Sequence, residues 1–217
     1  MDEDIEQRQP TLSEHTYETL VSMIMSKELV GGQVLEERPL SKRLDVSRTP
    51  LRIAFGRLLG EGLIRRLSNG YYVVNAPTTE DYLHLLQLRR LTEGEAAARA
   101  AGNLDPAVSR DLRERTDALL AAETEDDEAR FKLDDDLHAA IADASGNPWL
   151  AQMIKDTRRR VRLCNFKRYP ERFRETCMEH IAILDAVDRG DAEGAKKALE
   201  AHLDKIWEGV MQLLAKR

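Results

Sequence analysis

Three histidines and one aspartate are the side chains of this sequence whose types and spacing could do chemistry. Asp134 and His138, spaced i,i+4, share the apolar face of one helical stretch. His180 and His202 each lie within the apolar stripe of a later helical stretch. Burial of all four without partners would cost several kcal/mol, whereas one divalent cation would satisfy all of them. The four residues therefore predict a metal site inside a helical domain.

The identity of the metal and its role stay open at this point. Three imidazoles and one carboxylate suit Zn²⁺, Ni²⁺, Mn²⁺ or Fe²⁺, with Zn²⁺ as the leading expectation. Any one inward histidine, taken alone, is more often a hydrogen-bonded core residue than a ligand. A hydrolase-like metalloenzyme is one alternative, because a metal with open positions activates water. Asp135 and Asp136 fall on other faces of their helix, so we expect no enzyme. A purely structural metal is the other alternative.

Two arginines are candidates for holding a negatively charged ligand near that site. Arg89 and Glu93 lie on the apolar stripe of the stretch YLHLLQLRRLTEGEAAARA. They predict either a buried i,i+4 ion pair or a carboxylate-binding arginine in the wall of a cavity. Arg162 belongs to a cluster of four arginines at 158–162, most of which we expect to be solvated. We take Arg162 as the inward member and hence as the second ligand-binding candidate.

Positive charge is concentrated in one part of the N-terminal third of the chain. The whole chain is acidic, with a net charge of −6. The segment from Arg38 to Arg66 nevertheless contains eight Lys and Arg residues and only two acidic residues. Ser47, Arg48, Thr49 and Arg52 lie at the start of a helical stretch, away from its apolar face. Arginine reads guanine through two hydrogen bonds, and Ser or Thr contacts bases or phosphates. The alternative is a solvated helix face, but the combined pattern favours DNA binding.

The elements around this basic segment predict a winged helix-turn-helix. Apolar spacing predicts a first helix from Tyr17 to Met25, a short second helix, and a third helix with Ser47 as N-cap. The predicted buried face of the third helix consists of Leu51, Ala54, Phe55, Leu58 and Leu59. Two β-prone runs then flank Ser68-Asn69-Gly70, a strong hairpin signal. Arg38 would flank the groove, and Gly70 would let the hairpin backbone approach DNA closely. The third helix would enter the major groove with its N-terminal residues.

The remainder of the chain shows helical patterns only. We expect a flexible acidic tail at 1–10, the winged domain at 11–76, and a helical domain for ligand, metal and dimerisation at 77–217. The fold class is therefore mainly α, with a six-helix bundle at the C-terminus. Composition breaks separate six helical stretches, which lie at 79–101, 106–122, 127–144, 148–165, 171–189 and 191–215.

Composition excludes several broad classes of protein. Two cysteines in 217 residues provide no disulfide framework, and we expect a reducing, cytoplasmic location. No N-terminal apolar segment or spanning run is present, so we expect no membrane association.

The basic segment resembles the DNA-binding domain of the GntR superfamily of bacterial transcription regulators. The matching stretch is LSKRLDVSRTPLRIAFGRLLGEGLI, followed by the wing. The resemblance implies that the DNA contacts come from Arg38, Arg48, Thr49, Arg52 and Gly70. Family members usually have Glu-Ala-Leu where this chain has Ile53-Ala54-Phe55. We expect that departure to alter packing more than base readout.

The helical region resembles the FCD domain of the FadR subfamily. The stretches that carry the resemblance are FKLDDDLHAAIADASGNP and EHIAILDAVDRGDAEGAKKALEAHL. Many members hold a metal through Asp-x-x-x-His and two later histidines, which implies that Asp134, His138, His180 and His202 are the ligands. The subfamily's Arg-x-x-x-Glu pattern supports a pocket role for Arg89. The resemblance further implies a homodimer on a short palindromic operator, with a small carboxylate effector.

Overall fold

The computed structural model describes residues 11–122, 126–164 and 172–215. These residues form two compact units, and the division along the chain falls between Thr78 and Thr79, with residues 162–164 grouped with the first unit. Within the described ranges the fold contains nine helices and three short strands, as the mainly helical prediction requires. None of these helices combines the length and apolar character that crossing a membrane would require.

The first helix of the N-terminal unit, α1, spans Leu12–Met25. It begins with a capping box, because Thr11 accepts from the Glu14 backbone N–H at 3.2 Å and Glu14 accepts from the Thr11 backbone N–H at 2.6 Å. The predicted apolar face is confirmed, with Tyr17, Leu20 and their neighbours buried against the domain core.

The helix-turn-helix consists of α2 (Glu37–Arg43) and α3 (Arg48–Gly60). Ser47 occupies the N-cap position of α3, as predicted, although its side chain makes no capping hydrogen bond within the described chain. The apolar face of α3 is confirmed except at Leu59, whose exposure of 40% shows that the prediction of burial was wrong there. Because Leu59 follows the fully buried Leu58, the helical turn carries it beyond the edge of the core.

The wing is a three-stranded antiparallel sheet in the order β1-β3-β2. The predicted hairpin is confirmed by β2 (Ile64–Arg66) and β3 (Tyr72–Val74). A third strand, β1 (Val34–Leu35), pairs with β3 and was not predicted, because two residues are too few to show an alternating pattern. The Phe55 ring packs on Tyr72 with centroids 4.9 Å apart, so the departure at position 55 contributes a helix-to-wing contact.

Six helices form the C-terminal unit, and their bounds lie within about two residues of the predicted ones. The predicted ends at 165 and 171 lie outside the described residues. The helices are α4 (Thr79–Ala100), α5 (Pro106–Ala121), α6 (Asp127–Ala144), α7 (Pro148–Leu163), α8 (Phe173–Asp188) and α9 (Ala192–Ala215).

Short polar side chains define where four of these helices begin. Asp105, Asp126, Asn147 and Asp191 each accept a hydrogen bond from a backbone N–H in the first turn of the helix that follows. These contacts fix the start of each helix and hence the register of its inward face.

The pair α4 and α9 forms the main helix contact of this unit. Gly94 of α4 allows it, because a Cβ at that position would lie 3.0 Å from Cγ of Glu200 on α9. The close approach brings the helix that carries Glu93 against the helix that carries His202.

Candidate metal centre and nucleic-acid interface

The four predicted metal ligands meet at one point inside the C-terminal unit. Asp134 and His138 come from α6, His180 from α8 and His202 from α9. Their candidate ligand atoms all lie within 4.8 Å of one another, and all four residues are buried. The His180 and His202 ring centroids are 4.8 Å apart, and His138 is 5.6 Å and 5.5 Å from them.

The fold positions these side chains through the apolar faces of their helices. On α6, Leu133, Leu137 and Ile141 are buried with Asp134 and His138, because residues three and four apart share a helix face. The neighbouring apolar side chains of α8 and α9 belong to the same core cluster. The polar site is therefore enclosed by the packing that holds the bundle together.

One nitrogen of each imidazole in the cluster lacks a hydrogen bond within the described ranges. Nε2 of His138, His180 and His202 is buried without a hydrogen bond among the residues that the structure describes. Each such atom carries a desolvation penalty of roughly 1–3 kcal/mol. The closest carboxylate oxygen is Oδ1 of Asp134, at 3.4 Å from His180 Nε2 and 3.9 Å from His138 Nε2. Three lone-pair nitrogens and one carboxylate oxygen form a donor set that fits a divalent transition metal.

A buried ionic network supports the α6 side of the cluster. Arg89 of α4 pairs with Glu93, with Nε 2.6 Å from Oε1. The other Glu93 oxygen lies 2.5 Å from Nδ1 of His138. The structure thus shows the buried ion pair that was one of the two interpretations of Arg89, and it joins that pair to a candidate ligand.

Arg158 of α7 completes this network. Its NH2 lies 2.7 Å from Asp134 Oδ2 and 2.6 Å from Asp135 Oδ1. Because the guanidinium contacts one oxygen of Asp134, the other oxygen faces the imidazoles. Arg158 is buried, whereas sequence analysis took Arg162 as the inward arginine. Arg162 is half-buried and is grouped with the first compact unit, and its ligand role stays a prediction.

The second carboxylate beside the site, Glu179 of α8, supports His202. Its Oε2 lies 2.8 Å from Nδ1 of His202, and its Oε1 lies 2.8 Å from Arg172 and 3.2 Å from Lys205. Neither Glu179 nor Arg158 was predicted from the sequence. A signal existed for Arg158, which follows the buried Ile154 at helical spacing, but Glu179 lies off the apolar stripe of α8 and nothing in the pattern marks it.

Burial and charge shift the pKa values around the site in opposite directions. The pKa of His138 is lowered to about 4, chiefly by burial and also by the positive charge of Arg158, while Glu93 opposes the shift. Burial, together with His202, lowers the pKa of His180. Burial alone would raise the pKa of Glu93, but Arg89, His138 and Arg158 bring it far below its usual range. The site therefore combines neutral imidazoles at His138 and His180 with an ionised Glu93 carboxylate.

Five of the six predicted DNA-contacting residues are exposed on the N-terminal unit, and the sixth, Gly70, is half-buried. Arg38 lies in the first turn of α2, and Ser47, Arg48 and Thr49 lie at the start of α3. Gly70 occupies the hairpin tip with a φ of +88°, a left-handed conformation that glycine adopts without strain. This arrangement matches what reading a major groove with a helix N-terminus requires.

Some of the basic side chains are engaged within the domain. Arg52 Nε lies 3.0 Å from both carboxylate oxygens of Glu37. Arg57 lies over the Tyr17 ring at 3.6 Å and pairs with Glu61, so it contributes to packing. The ion pair with Glu37 holds Arg52 in a defined orientation beside Arg48.

Comparisons with known proteins decide the family. Residues 84–205 match the FCD domain, and residues 12–74 match the gntR family of bacterial regulatory proteins. The chain belongs to the GntR family. It is a transcriptional regulator of that family, with a winged helix-turn-helix and an FCD domain.

Relatives of this GntR regulator include two proteins of Escherichia coli K12. One, described as an L-lactate dehydrogenase operon regulatory protein, is 29% identical over 90% of this chain and 84% of its own length. The other, the repressor RspR, is 29% identical over 93% of this chain and 90% of its own length. The structure of E. coli McbR/YncC aligns with a TM-score of 0.81 at 23% identity, covering 95% of this chain and all of that one.

Membership in the GntR family places the two candidate sites in context. GntR regulators bind DNA operators and typically act as dimers. FCD domains are known to bind metal, and the buried Asp and His cluster of this chain could hold one.

The low pKa of His138 predicts that the metal-free regulator loses stability in mild acid. Above pH 6.5 the imidazole is neutral in both states, and as pH falls the unfolded chain takes up a proton that the folded state excludes. The loss should develop between pH 6.5 and about 4 and should reach on the order of 3 kcal/mol for this residue. Urea unfolding at several pH values, followed by fluorescence of Trp149 and Trp207, measures it.

The control for this prediction is the exposed His84. His138→Gln should show a shallower pH dependence than wild type, whereas His84→Gln should follow wild type. Equal slopes for His138→Gln and wild type would contradict the assignment.

Proposed function

We propose that the regulator binds its operator under the control of a small organic acid, which is held together with a divalent metal in the FCD domain. The observation that carries this proposal is the meeting of four candidate ligand atoms from three helices, with buried Nε2 atoms that lack a hydrogen bond among the described residues. One metal ion would satisfy these atoms and create a positively charged site for an anion.

The proposed DNA contacts come from Arg38, Ser47, Arg48, Thr49, Arg52 and Gly70. Exposure of the α3 N-terminus and the position of Gly70 at the wing tip support this assignment. A homodimer would present two such heads to a short palindrome, since a two-fold protein matches a two-fold site.

Arg48→Ala should weaken operator binding by roughly 1–3 kcal/mol, because an arginine that reads a base loses both hydrogen bonds. The measurement is a mobility-shift titration on a duplex selected from random sequence with the wild-type protein. Binding should also fall steeply with salt.

The matched control for Arg48 is Arg99→Ala, an exposed arginine of α4 in the FCD domain. It should bind like wild type. If Arg48→Ala also binds like wild type, α3 is not the recognition helix.

The proposed metal ligands are Asp134, His138, His180 and His202, and Zn²⁺ is the expected ion, with Ni²⁺, Mn²⁺ and Fe²⁺ as alternatives. The support is the donor set itself, since three imidazoles with one carboxylate suit these ions better than Mg²⁺ or Ca²⁺. A bound ion would supply positive charge, and the protein would supply enclosure and orientation.

The purified protein should carry close to one divalent ion per chain, and His180→Ala with His202→Ala should lose it. Elemental analysis after gel filtration gives the metal content. Affinity should weaken as pH falls through roughly 6, because only neutral imidazoles bind metal.

The control variant is His84→Ala, which should keep full metal content because His84 is exposed. Full content in the double variant would reject this site.

The proposed effector is a small carboxylate, and Arg89 is its proposed charge partner, with Arg162 as the second candidate. The charges around the cluster support binding of an anionic effector. If the imidazoles are neutral, the two arginines Arg89 and Arg158 face the three carboxylates of Glu93, Asp134 and Asp135. A bound divalent ion would then make the net charge of the site positive. The relative described as a regulator of an L-lactate dehydrogenase operon supports testing hydroxy acids first.

Arg89→Lys should weaken effector binding by roughly 1.5–3 kcal/mol, because lysine keeps the charge that Glu93 needs but loses the guanidinium fork. A thermal-shift screen of small carboxylates identifies the effector, since a ligand at 100 times its Kd adds about 2.7 kcal/mol. Calorimetric titration then compares wild type, metal-stripped protein and Arg89→Lys.

The neighbouring Arg90 provides the control, because it pairs with Asp204 and Glu200 outside the cluster. Arg90→Lys should bind the effector like wild type. Equal binding by wild type, metal-stripped protein and Arg89→Lys would place the effector elsewhere and leave the metal with a structural role.

The contacts of the nearby acids support a regulator over a metalloenzyme. Asp135 contacts Arg158, and Asp136 contacts Arg115 and Lys132. Both carboxylates are engaged in ion pairs, so neither is placed to take a proton from a water at the cluster.

A further inference from the structure

In two of the candidate metal ligands, a carboxylate of a neighbouring helix contacts the imidazole at Nδ1. Glu93 of α4 places Oε2 2.5 Å from Nδ1 of His138 on α6. Glu179 of α8 places Oε2 2.8 Å from Nδ1 of His202 on α9. In both cases the opposite nitrogen, Nε2, belongs to the cluster and has no hydrogen-bond partner among the described residues.

The charges around the two carboxylates determine which atom of each contact carries the proton. Glu93 pairs with Arg89, and Glu179 pairs with Arg172 and Lys205. These cations favour the ionised carboxylates, which accept hydrogen bonds and cannot donate.

A neutral imidazole has one N–H, so a nitrogen facing an ionised carboxylate must be the donor. The His138 contact is bent from ideal hydrogen-bond geometry. Even so, two lone pairs would repel each other at 2.5 Å. Nδ1 is therefore protonated in both residues, and the lone pair lies on Nε2.

We infer that Glu93 and Glu179 are positioning residues that hold His138 and His202 in the Nδ1–H tautomer and aim both Nε2 lone pairs at the cluster. In water, neutral histidine prefers the other tautomer, with the proton on Nε2, so the two carboxylates reverse the ordinary preference. The consequence for metal affinity rests on the proposed metal site, whereas the tautomers themselves do not.

The two carboxylates differ in how much their substitution would disturb the fold. Glu93 is fully enclosed between Arg89 and Arg158, and neutralising it would leave a buried guanidinium unpaired, at a large cost to folding. The partners of Glu179 are more exposed, with Arg172 at 28% and Lys205 at 54%. Glu179→Gln is therefore the informative variant.

The first measurement uses metal-free wild-type protein at pH 8. Long-range ¹H–¹⁵N correlation of the imidazoles distinguishes the two tautomers, and single histidine variants assign the signals. His138 and His202 should both show the Nδ1–H pattern. Detection of the Nε2–H pattern for both residues would overturn the inference, and this experiment needs no altered carboxylate.

The second measurement compares Glu179→Gln with Glu193→Gln, an exposed acid of α9 that pairs with Lys197. A glutamine amide donates as well as accepts, so His202 should become a mixture of tautomers while His138 stays unchanged in the same sample. Zn²⁺ affinity, measured by competition with a chelator, should fall about 10- to 100-fold. Glu193→Gln should match wild type in both readouts.

These outcomes separate the inference from the proposed function. An unchanged His202 tautomer and unchanged Zn²⁺ affinity in folded Glu179→Gln would overturn the role of Glu179. Nδ1–H tautomers in a wild-type protein that binds no divalent ion would support the positioning role of the carboxylates and reject the metal site.

Discussion

The constraint on which the C-terminal domain depends is the burial of three imidazoles and a carboxylate next to one another. An apolar core of helices would be stable without them, so their presence costs desolvation that the protein alone does not recover at Nε2. The rest of the polar interior is organised around this cost. Arg158 contacts one oxygen of Asp134, Glu93 and Glu179 contact the outer nitrogens of two histidines, and Arg89 balances Glu93. These contacts support the cluster from its outer side, although His138 Nδ1 and Arg158 NH1 lack a well-formed hydrogen bond among the described residues.

The N-terminal domain follows a different principle, because its chemistry lies on the outside. Its core is apolar and continuous from α1 through α3 into the wing. The side chains at the start of α3 are left in solvent, and the ion pair between Glu37 and Arg52 orders part of that surface without burying it. The concentration of basic side chains on α2 and α3 would favour the approach of DNA to that face, although the net charge of the chain is −6.

Sequence patterns predicted most of the fold because its elements are long and strongly periodic. The six C-terminal helices and the hairpin around Asn69 and Gly70 are examples. The strand Val34–Leu35 was missed because its two residues are defined by pairing with β3 and not by any local pattern. The burial of Leu59 was predicted wrongly because the apolar pattern of a helix does not show where the surface that packs against it ends.

The same difference between local sequence pattern and tertiary packing explains which residues of the candidate site were predicted. Asp134, His138, His180 and His202 were found because polar residues stand out within apolar stripes. Glu179 gave no such signal, since its role depends on α9 crossing beside α8. Arg158 was not singled out because three further arginines follow it within four residues. Only packing distinguishes it from Arg162. Residues that act on ligands from a second helix are set by tertiary structure, which a single sequence does not display.

The order of the ligands along the chain has a consequence for synthesis. The helix that would read DNA is complete at Gly60, whereas the last member of the cluster, His202, lies 142 residues later in the chain. Domains fold as units, and those nearer the N-terminus emerge first from the ribosome. A nascent chain would therefore acquire the proposed DNA-reading surface long before α6, α8 and α9 could close around an ion. The proposed metal site is completed after the DNA head, and a chain truncated before α9 would keep the DNA head without His202.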